Sequence, residues 1–280
     1  MGKESKKNVE NRNNLNLDGK VALVVGGGRG IGAASAIGMA KHGADIILVD
    51  QPKSENLDKT ANTIQEFGGN CMAISADVFN PRERKLLFKD ALISMSHIDI
   101  LVTGPASSVQ GKVTELSTDD FSKTVNNVLT SHFEMGQLAA IQMIKQNTGG
   151  KIIFIGSVYG FLNRQKSVAY DAAKAGLHQM AQVFARELAQ YQINVNAVAP
   201  GFTDTPGERY AFSNKGDDPE EEVRKIAESL PFGRAGTPKD VGNAVAFLAS
   251  PMADYITGQV LIVDGGMSLV DFTYSKSKRI

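Results

Sequence analysis

Short apolar runs rich in β-branched residues recur along this chain and alternate with helical stretches. Seven such runs occupy residues 21–25, 45–49, 72–75, 100–102, 151–155, 193–199 and 260–265. Continuous apolar strands are typical of a parallel sheet that is buried on both faces, and right-handed crossovers place helices on each side of it. The pattern predicts an α/β fold, a doubly wound sheet of about seven parallel strands with helices on both faces.

The alternation predicts a single domain over residues 17–268, because no internal repeat or linker-like composition interrupts it. Residues 1–16 are polar and cannot bury enough apolar surface to order, so a disordered N-terminal tail is expected. Residues 269–280 are expected to form a C-terminal tail. The segment from about 202 to 230 is long, polar and rich in Gly, Asp and Pro, which favours a mobile substrate lid.

Composition excludes several classes of function. Thirty basic residues balance thirty acidic ones, so neither nucleic acid nor an anionic membrane surface is an expected partner. The single cysteine, Cys71, excludes an internal disulfide framework, and no apolar run reaches 18 residues. A cytoplasmic location is therefore expected. No metal site is expected, because metal-ligand spacing is missing from the four histidines, His42, His97, His132 and His178.

A glycine-rich turn follows the first predicted strand. Gly26, Gly30 and Gly32 form the pattern Gly-x-x-x-Gly-x-Gly where that strand meets the next helix. Such glycines let backbone N–H groups approach a pyrophosphate, whose charge the helix N-terminus favours. Tight strand-to-helix turns also need glycine without any ligand, so the position directly after the first strand is what favours a dinucleotide.

The second strand ends at Asp50, about 20 residues beyond the glycines, where a carboxylate can accept hydrogen bonds from the adenosine ribose. Arg29, inside the turn, could instead attract a 2′-phosphate. Because direct contact at the 2′ position outweighs a cation that can pair with pyrophosphate or solvent, NAD is expected and NADP less so. Asp77 and Val78 close the third strand, where they could border the adenine.

A tyrosine and a lysine four residues apart, Tyr170 and Lys174, leave the same face of a predicted helix. Ser157, ending the fifth strand, can meet them at the carboxyl edge of the sheet. A phenol with a pKa near 10 needs its pKa lowered by roughly 2–3 units to act as an acid or base at neutral pH. An ammonium ~5 Å away contributes roughly 3 kcal/mol, so Lys174 is expected to supply most of that shift.

Several motifs in order resemble the short-chain dehydrogenase/reductase family over residues 17–267. The resemblance is carried by "GGGRGIG", "ADV" ending at Val78, "IGSVYG", "YDAAK", "NAVAPGFTDT", "PFGRAGTPKDVGNAVAFLAS" and "YITGQVLIVDGG". It implies a Rossmann-type fold, usually assembled as a homotetramer or homodimer. It also implies that Tyr170 exchanges a proton with an alcohol or ketone, that Ser157 holds the substrate oxygen, and that Lys174 binds the nicotinamide ribose.

Further contacts with the dinucleotide follow from the same resemblance. The backbone of Thr203 and the hydroxyl of Thr205 would fix the carboxamide after the Pro200–Gly201 turn. The complete set of residues expected to bind the cofactor is Gly26, Arg29, Gly30, Ile31, Gly32, Asp50, Gln51, Asp77, Val78, Thr103, Gly104, Pro105, Tyr170, Lys174, Pro200, Gly201, Thr203 and Thr205.

Three positions depart from the family pattern. Val25 replaces a threonine before the glycine turn, "TGPA" at 103–106 replaces an asparagine-rich turn, and Val128 occupies the place of an asparagine in the proton relay. Thr103 could substitute in part. Because a one-residue offset turns a helical side chain by about 100°, Asn127 could serve in the relay only if the helix is locally distorted, for instance by a π-bulge.

The resulting hypothesis is an NAD(H)-dependent enzyme that interconverts a secondary alcohol and a ketone. Three alternatives remain: a 3-oxoacyl-carrier-protein-type reductase using NADPH, an NAD-binding sensor or scaffold with weak catalysis, and an epimerase or dehydratase. The intact Ser157, Tyr170 and Lys174 argue against the sensor, and the longer C-terminal domain of the epimerases and dehydratases is missing.

Overall fold

A computed structural model describes residues 15–52 and 54–269, the side chain of Glu55 excepted. Most of the predicted tails, residues 1–14 and 270–280, lie outside these described residues. Each of the seven predicted runs coincides with one strand, so the strand prediction is confirmed. The strands are β1 Val21–Val25, β2 Asp45–Asp50, β3 Cys71–Ser75, β4 Ile100–Thr103, β5 Gly150–Ile155, β6 Ile193–Pro200 and β7 Val260–Val263.

The strands form one parallel sheet in the order β3-β2-β1-β4-β5-β6-β7. Strand order reverses between β1 and β4, and in open α/β sheets ligands bind at the carboxyl ends of the strands beside such a reversal. Helices connect the strands. They are α1 Gly30–Ala40, α2 Glu55–Glu66, α3 Pro81–Met95, α4 Thr118–Val125, α5 Ser131–Gln146, α6 Val168–Leu188, α7 Pro206–Ser213, α8 Pro219–Ser229 and α9 Pro238–Ala249.

Two hydrophobic cores lie on opposite faces of the sheet. Within β1, Leu23 belongs to the core beneath α3, α5 and α6, whereas Ala22 and Val24 belong to the core beneath α1, α2 and α9. This alternation follows from the two-residue period of a strand, and it explains why the whole strand is apolar. Burying one such Leu, Ile or Val contributes about 1.5–3 kcal/mol. Helices on both faces confirm the doubly wound prediction.

The predicted lid segment contains two helices, α7 and α8. Each begins with proline after a side-chain cap, Thr205 for α7 and Asp218 for α8. Arg209 joins them, because its guanidinium holds Asp204 at 2.6 and 2.8 Å and also pairs with Glu220. Among the described helices none is both long and apolar enough to cross a membrane.

Candidate active site

The glycine turn between β1 and α1 is tightly packed backbone. Gly26 and Gly30 have φ of +81° and +58°, conformations that side chains disfavour. A Cβ on Gly32 would lie 2.0 Å from the carbonyl oxygen of Gly26, so only glycine fits there. Arg29 is the N-cap of α1 but provides no side-chain cap, which leaves the first N–H groups of the helix available to an anion.

Asp50 lies directly against this turn. Its Oδ1 accepts a hydrogen bond from Gln51 N at 2.9 Å, and its Oδ2 accepts one from Ser54 Oγ at 2.7 Å. A Cβ on Gly28 would come within 2.0 Å of Asp50 Oδ2. The carboxylate is therefore fixed beside the glycine backbone, and it places a negative charge where the adenosine end of a dinucleotide would approach.

Asp77 and Val78, also predicted near the cofactor, are engaged by the protein itself. Asp77 Oδ1 accepts a hydrogen bond from Phe79 N at 2.9 Å. The Val78 side chain is buried in the hydrophobic core, and its carbonyl oxygen accepts a bond from Arg84 Nη1 at 2.6 Å. Ile31, half-buried in the first turn of α1, packs against the opposite core. Contact of these residues with a dinucleotide stays a prediction.

The two departures at the ends of β1 and β4 face each other. Val25 is paired in register with Thr103, and Gly104 N donates to Val25 O at 3.2 Å. Pro105 packs on the glycine turn, since a Cβ on Gly26 would lie 3.2 Å from Pro105 N. The two departures therefore pack against each other, and Thr103, Gly104 and Pro105 lie beside the glycine turn.

Ser157, Tyr170 and Lys174 come together at the carboxyl end of β5. Ser157 is buried and caps a short 3₁₀ helix at Val158–Gly160, where its Oγ accepts a hydrogen bond from Tyr159 N at 3.2 Å, and its hydroxyl is close enough to the Tyr170 phenol to act on the pKa of that group. Lys174 is 1% exposed, its Nζ donates to Ile155 O at 2.6 Å, and it lies 5.6 Å from the centroid of the Tyr170 ring. The three side chains thus form one site, as the sequence predicts.

The prediction that Lys174 lowers the pKa of Tyr170 is wrong for the polypeptide by itself. Burial raises the pKa of Tyr170 to about 12, although the nearby Ser157 hydroxyl and the charge of Arg164 oppose this rise. Burial also lowers the pKa of Lys174 to about 7, so the amine holds its charge only weakly at neutral pH. Sequence spacing brings the two groups together, but desolvation outweighs their attraction.

A π-helix, Asn126–Thr130, separates α4 from α5. This is the distortion that the one-residue offset of Asn127 requires. Asn127 is buried, and its Oδ1 accepts a hydrogen bond from Asn126 Nδ2 at 3.3 Å. Ser131 Oγ donates to the Asn127 carbonyl at 2.8 Å. The structure thus supplies the local geometry, while a relay role for Asn127 stays a prediction.

The carboxyl end of β6 leads into the lid beside the glycine turn. Gly201 is close to the next strand end, since a Cβ there would lie 2.6 Å from Asp264 Cβ. Thr203 is buried and its Oγ1 donates to the carbonyl of Gly201 at 3.2 Å. Thr205 caps α7 through Glu208 N, and its methyl carbon would lie 3.6 Å from a Cβ on Gly30. The Pro200–Thr205 segment therefore reaches the site.

His178 is a residue of this region that the sequence reasoning missed. It lies one helical turn beyond Lys174, and a Cβ added at Gly156 or Gly160 would come within 2.4 Å of its Nε2 or 2.3 Å of its Cε1. Neither ring nitrogen has a partner among the described residues, and burial lowers its pKa to about 4. The four-residue spacing of Tyr170, Lys174 and His178 was the available signal.

Comparison with known proteins decides the family. A family model described as "Enoyl-(Acyl carrier protein) reductase" matches residues 25–268. The chain belongs to the short-chain dehydrogenase/reductase family. It is 32% identical over 256 residues to the 2-dehydro-3-deoxy-D-gluconate 5-dehydrogenase of Dickeya dadantii, a match that covers 91% of this chain and 97% of that protein.

Two further members have informative names. The chain is 32% identical to the L-rhamnose 1-dehydrogenase (NAD(P)(+)) of a Sphingomonas species, with 90% of this chain and 97% of that one covered. It superposes with a TM-score of 0.82 and 30% identity on a 7α-hydroxysteroid dehydrogenase crystallised with NADH, covering 90% and 96% of the two chains. The chain is thus an oxidoreductase of alcohol and ketone groups on small molecules, with a nicotinamide dinucleotide as cofactor.

Proposed function

We propose that this protein is an NAD(H)-dependent oxidoreductase that interconverts a secondary alcohol and a ketone, with Tyr170 as the acid and base. The observation that carries the proposal is the meeting of Ser157, Tyr170 and Lys174 at the carboxyl end of β5, which one strand, β4, separates from the strand before the glycine turn. A bound nicotinamide would supply the hydride in its reduced form, or would accept the hydride in its oxidised form and so lose its positive charge.

The residues at the glycine turn fit a dinucleotide. A Cβ on Gly32 would collide with Gly26 O and one on Gly28 with Asp50 Oδ2, so the turn is bare, tightly folded backbone. The N–H groups at the start of α1 can therefore meet a pyrophosphate. Asp50 favours NAD, because its fixed carboxylate can accept hydrogen bonds from ribose hydroxyls and would repel a 2′-phosphate. Arg29, Gly30, Ile31 and Gln51 would complete this end of the cofactor site.

Each catalytic side chain has one task in this proposal. Tyr170 gives a proton to the carbonyl oxygen during reduction and takes it from the hydroxyl during oxidation. Ser157 donates a hydrogen bond to the same oxygen. Lys174, held by Ile155 O, binds the nicotinamide ribose and contributes positive charge near the phenol. Asn127, on the π-helix, would connect the site to the protein interior.

The Tyr170 phenol is the group whose pKa the site must lower. With its pKa near 12, Tyr170 is strongly protonated and therefore starts as a proton donor rather than as a base. Oxidation of an alcohol needs the phenolate, so we expect that direction to need additional positive charge beside Tyr170 or a higher pH. The substrate lid, α7 and α8, would close over the pair and exclude water.

The test is a panel of secondary alcohols and ketones with NAD(H) and NADP(H), followed by absorbance at 340 nm. Turnover that consumes NADH supports the dehydrogenase, whereas NADH binding without turnover supports the sensor. Tyr170→Phe is expected to lower kcat by at least about 10³-fold while NADH still binds in a calorimetric titration, because only the proton donor is removed. Retained turnover in that variant excludes the acid–base role.

Homo-oligomerisation is part of the same proposal. Apolar side chains on the outer faces of α5 and α6 are exposed, with Phe133 at 40%, Ile141 at 60% and Val183 at 46%. Helix faces of this kind are suited to packing against a second copy of the chain. Light scattering that gives the mass of a monomer at micromolar concentration would exclude it.

A further inference from the structure

Arg164 lies in the loop between the 3₁₀ helix at Val158–Gly160 and the start of α6. Its guanidinium carbon is 4.7 Å from the centroid of the Tyr159 ring, a distance at which a cation and an aromatic face attract each other. Its Nη2 also reaches Ser167 Oγ at 3.4 Å. The guanidinium is therefore held over an aromatic ring on one side and beside the start of α6 on the other.

Both neighbours of this guanidinium are close to a proposed catalytic side chain. Tyr159 N donates to Ser157 Oγ at 3.2 Å, so Tyr159 belongs to the same turn as the serine hydroxyl. Ser167 is the N-cap of α6 and precedes Tyr170 by three residues, a spacing that places the two on one face of the helix, about 4.5 Å apart along its axis. The charge of Arg164 therefore lies within the length of a small molecule from the phenol.

The electrostatics of the Tyr170 phenol agree with this placement. Burial is the largest effect and raises the pKa of Tyr170, whereas the Ser157 hydroxyl and then the charge of Arg164 lower it. Two carboxylates, Glu208 of α7 and Asp171 of α6, raise it. Because Coulomb interactions weaken with distance, these three charged groups are the ones that a molecule beside the phenol meets.

The Arg164 guanidinium forms no ion pair with a carboxylate of the described chain. Asp171 uses its oxygens elsewhere, since Oδ2 accepts a bond from the backbone N of Arg164 and Oδ1 one from Ser167 Oγ, both at 2.8 Å. Gly111 N, which donates to Lys166 O at 2.9 Å, also fixes the loop. The loop is thus held by its backbone, while the guanidinium keeps N–H donors for a ligand.

The kind of ligand follows from the geometry and the charge of this group. A guanidinium presents parallel N–H groups that match the two oxygens of a carboxylate, and stacking on an aromatic ring holds its plane. A doubly charged phosphate fits less well, because Asp171 and Glu208 add negative charge around the same phenol. A singly charged carboxylate is therefore favoured.

We propose that Arg164 binds the carboxylate of the substrate, so that the ketone reduced at Tyr170 belongs to a small oxo acid and the alcohol oxidised there to a hydroxy acid. This inference rests on the proposed function and names the substrate class of that site. The hydride from the nicotinamide and the proton from Tyr170 convert the ketone to the alcohol, and the carboxylate is unchanged by the reaction.

The first test measures binding without turnover. Tyr170→Phe loaded with NADH lacks the proton donor, so a ketone that binds to it persists and can be titrated by calorimetry. The probes are acetoacetate and levulinate, each paired with its methyl ester. We expect at least one acid to bind about tenfold more tightly than its ester, because only the carboxylate forms charge-assisted hydrogen bonds. Equal binding in both pairs, or no binding of either acid, overturns the proposal.

Arg164→Gln in the same Tyr170→Phe background removes the charge. The difference between acid and ester should then fall below about twofold, while Arg164→Lys should keep about a threefold difference, because it retains the charge without the planar fork. The matched control is Lys166→Gln, since Lys166 is an exposed cation of the same loop. It should leave the difference unchanged. An equal fall in the Lys166 variant, or no fall in Arg164→Gln, overturns the proposal.

The second test follows NADH consumption by the protein with Tyr170 intact. We expect Arg164→Gln to raise KM for the acid about tenfold, with kcat and the KM of the ester changed by less than about twofold. Preferred turnover of the esters, or of dihydroxyacetone phosphate, supports the proposed function but overturns the carboxylate assignment. If the wild-type protein turns over nothing while the Tyr170→Phe complex still binds the acids through Arg164, the proposed function fails and the carboxylate site stands.

Discussion

The two halves of the proposed dinucleotide cleft differ in how completely the protein satisfies its own polar groups. At the adenosine half, Asp50 has hydrogen-bond donors on both carboxylate oxygens, and Thr60 Oγ1 donates to the carbonyl of Gly28 at 2.9 Å. At the nicotinamide half, His132 and His178 retain buried ring nitrogens without partners in the described chain. The groups around Asp50 are thus satisfied within the described chain, whereas three buried ring nitrogens of the nicotinamide half are not.

This difference has a physical consequence. A rigid, satisfied surface can recognise a ligand through shape and charge without further change, which suits the binding of an adenosine group. Unsatisfied buried groups and shifted pKa values are destabilising, and they occur where chemistry needs a proton to move. We therefore expect the adenosine half of the cleft to contribute stability and recognition, and the nicotinamide half to lose stability for the sake of catalysis.

The largest effect is expected at Lys174. Burial lowers its pKa from 10.5 to about 7, so the charged form destabilises the folded state by roughly 4 kcal/mol at pH 7 and below. Between pH 7 and 10.5 the unfolded chain binds the extra proton, so the stability of the wild-type protein rises with pH in that window. Lys174→Met should therefore stabilise the fold by about 3 kcal/mol at pH 6, because the lost bond to Ile155 offsets part of the gain.

Urea unfolding at pH 6 and pH 9.5 measures this effect, with the gain expected to fall nearly to zero at the higher pH, because the lost bond to Ile155 then offsets most of the small gain that remains. Lys112→Met is the control, because Lys112 is 60% exposed and pairs only with Glu115. That variant should change stability little and without dependence on pH. A Lys174→Met protein that is less stable than wild type at pH 6 contradicts the idea that this half of the cleft is strained.

The sequence was sufficient for the satisfied half. Seven apolar runs predicted seven strands, because the strand period and buried parallel sheets leave a local signature. The position of Asp50 after β2 followed from strand order and spacing. These inferences succeed because each depends on residues that are neighbours in the sequence.

The unsatisfied half could be predicted only in part. The offset of Asn127 indicated that a distortion was needed, and the π-helix at Asn126–Thr130 supplies it. Spacing also predicted that Tyr170 and Lys174 would meet. The predicted direction of the Tyr170 pKa shift was wrong, and the lowered pKa of Lys174 was not predicted, because burial depends on the packing of α5, β5 and α6 together, which spacing does not reveal. The unpartnered ring nitrogens of His132 and His178 were not predicted for the same reason.

A smaller effect is expected at His178. Its pKa falls from 6.5 to about 4 by burial and by the charge of Lys174. Below pH 6.5 the unfolded chain takes up a proton that the folded chain refuses, so stability is lost as the pH falls from 6.5 to 4. His178→Leu removes this loss, and the variant should gain about 2 kcal/mol over wild type between pH 7 and pH 5 in urea unfolding. A gain that is the same at both pH values would mean that packing alone is responsible.

The smallest effect, and the one that sharpens the comparison, is expected at Asp50. Asp50→Asn keeps an acceptor oxygen for Gln51 N and offers its Nδ2 as a donor to Ser54 Oγ, but it removes the charge beside Gly28. We expect the ratio of kcat/KM with NAD to kcat/KM with NADP to fall about tenfold, mainly through a lower KM for NADP, because a single repulsion at the 2′ position is relieved. The satisfied half then behaves as a recognition surface, since a change there alters which dinucleotide binds and leaves kcat with NADH within about twofold.

Asp77→Asn is the matched control, because Asp77 is engaged by Phe79 N and lies at the end of the neighbouring strand. If both variants leave the preference unchanged, the charge of Asp50 does not select the cofactor, and the adenosine half discriminates by shape alone.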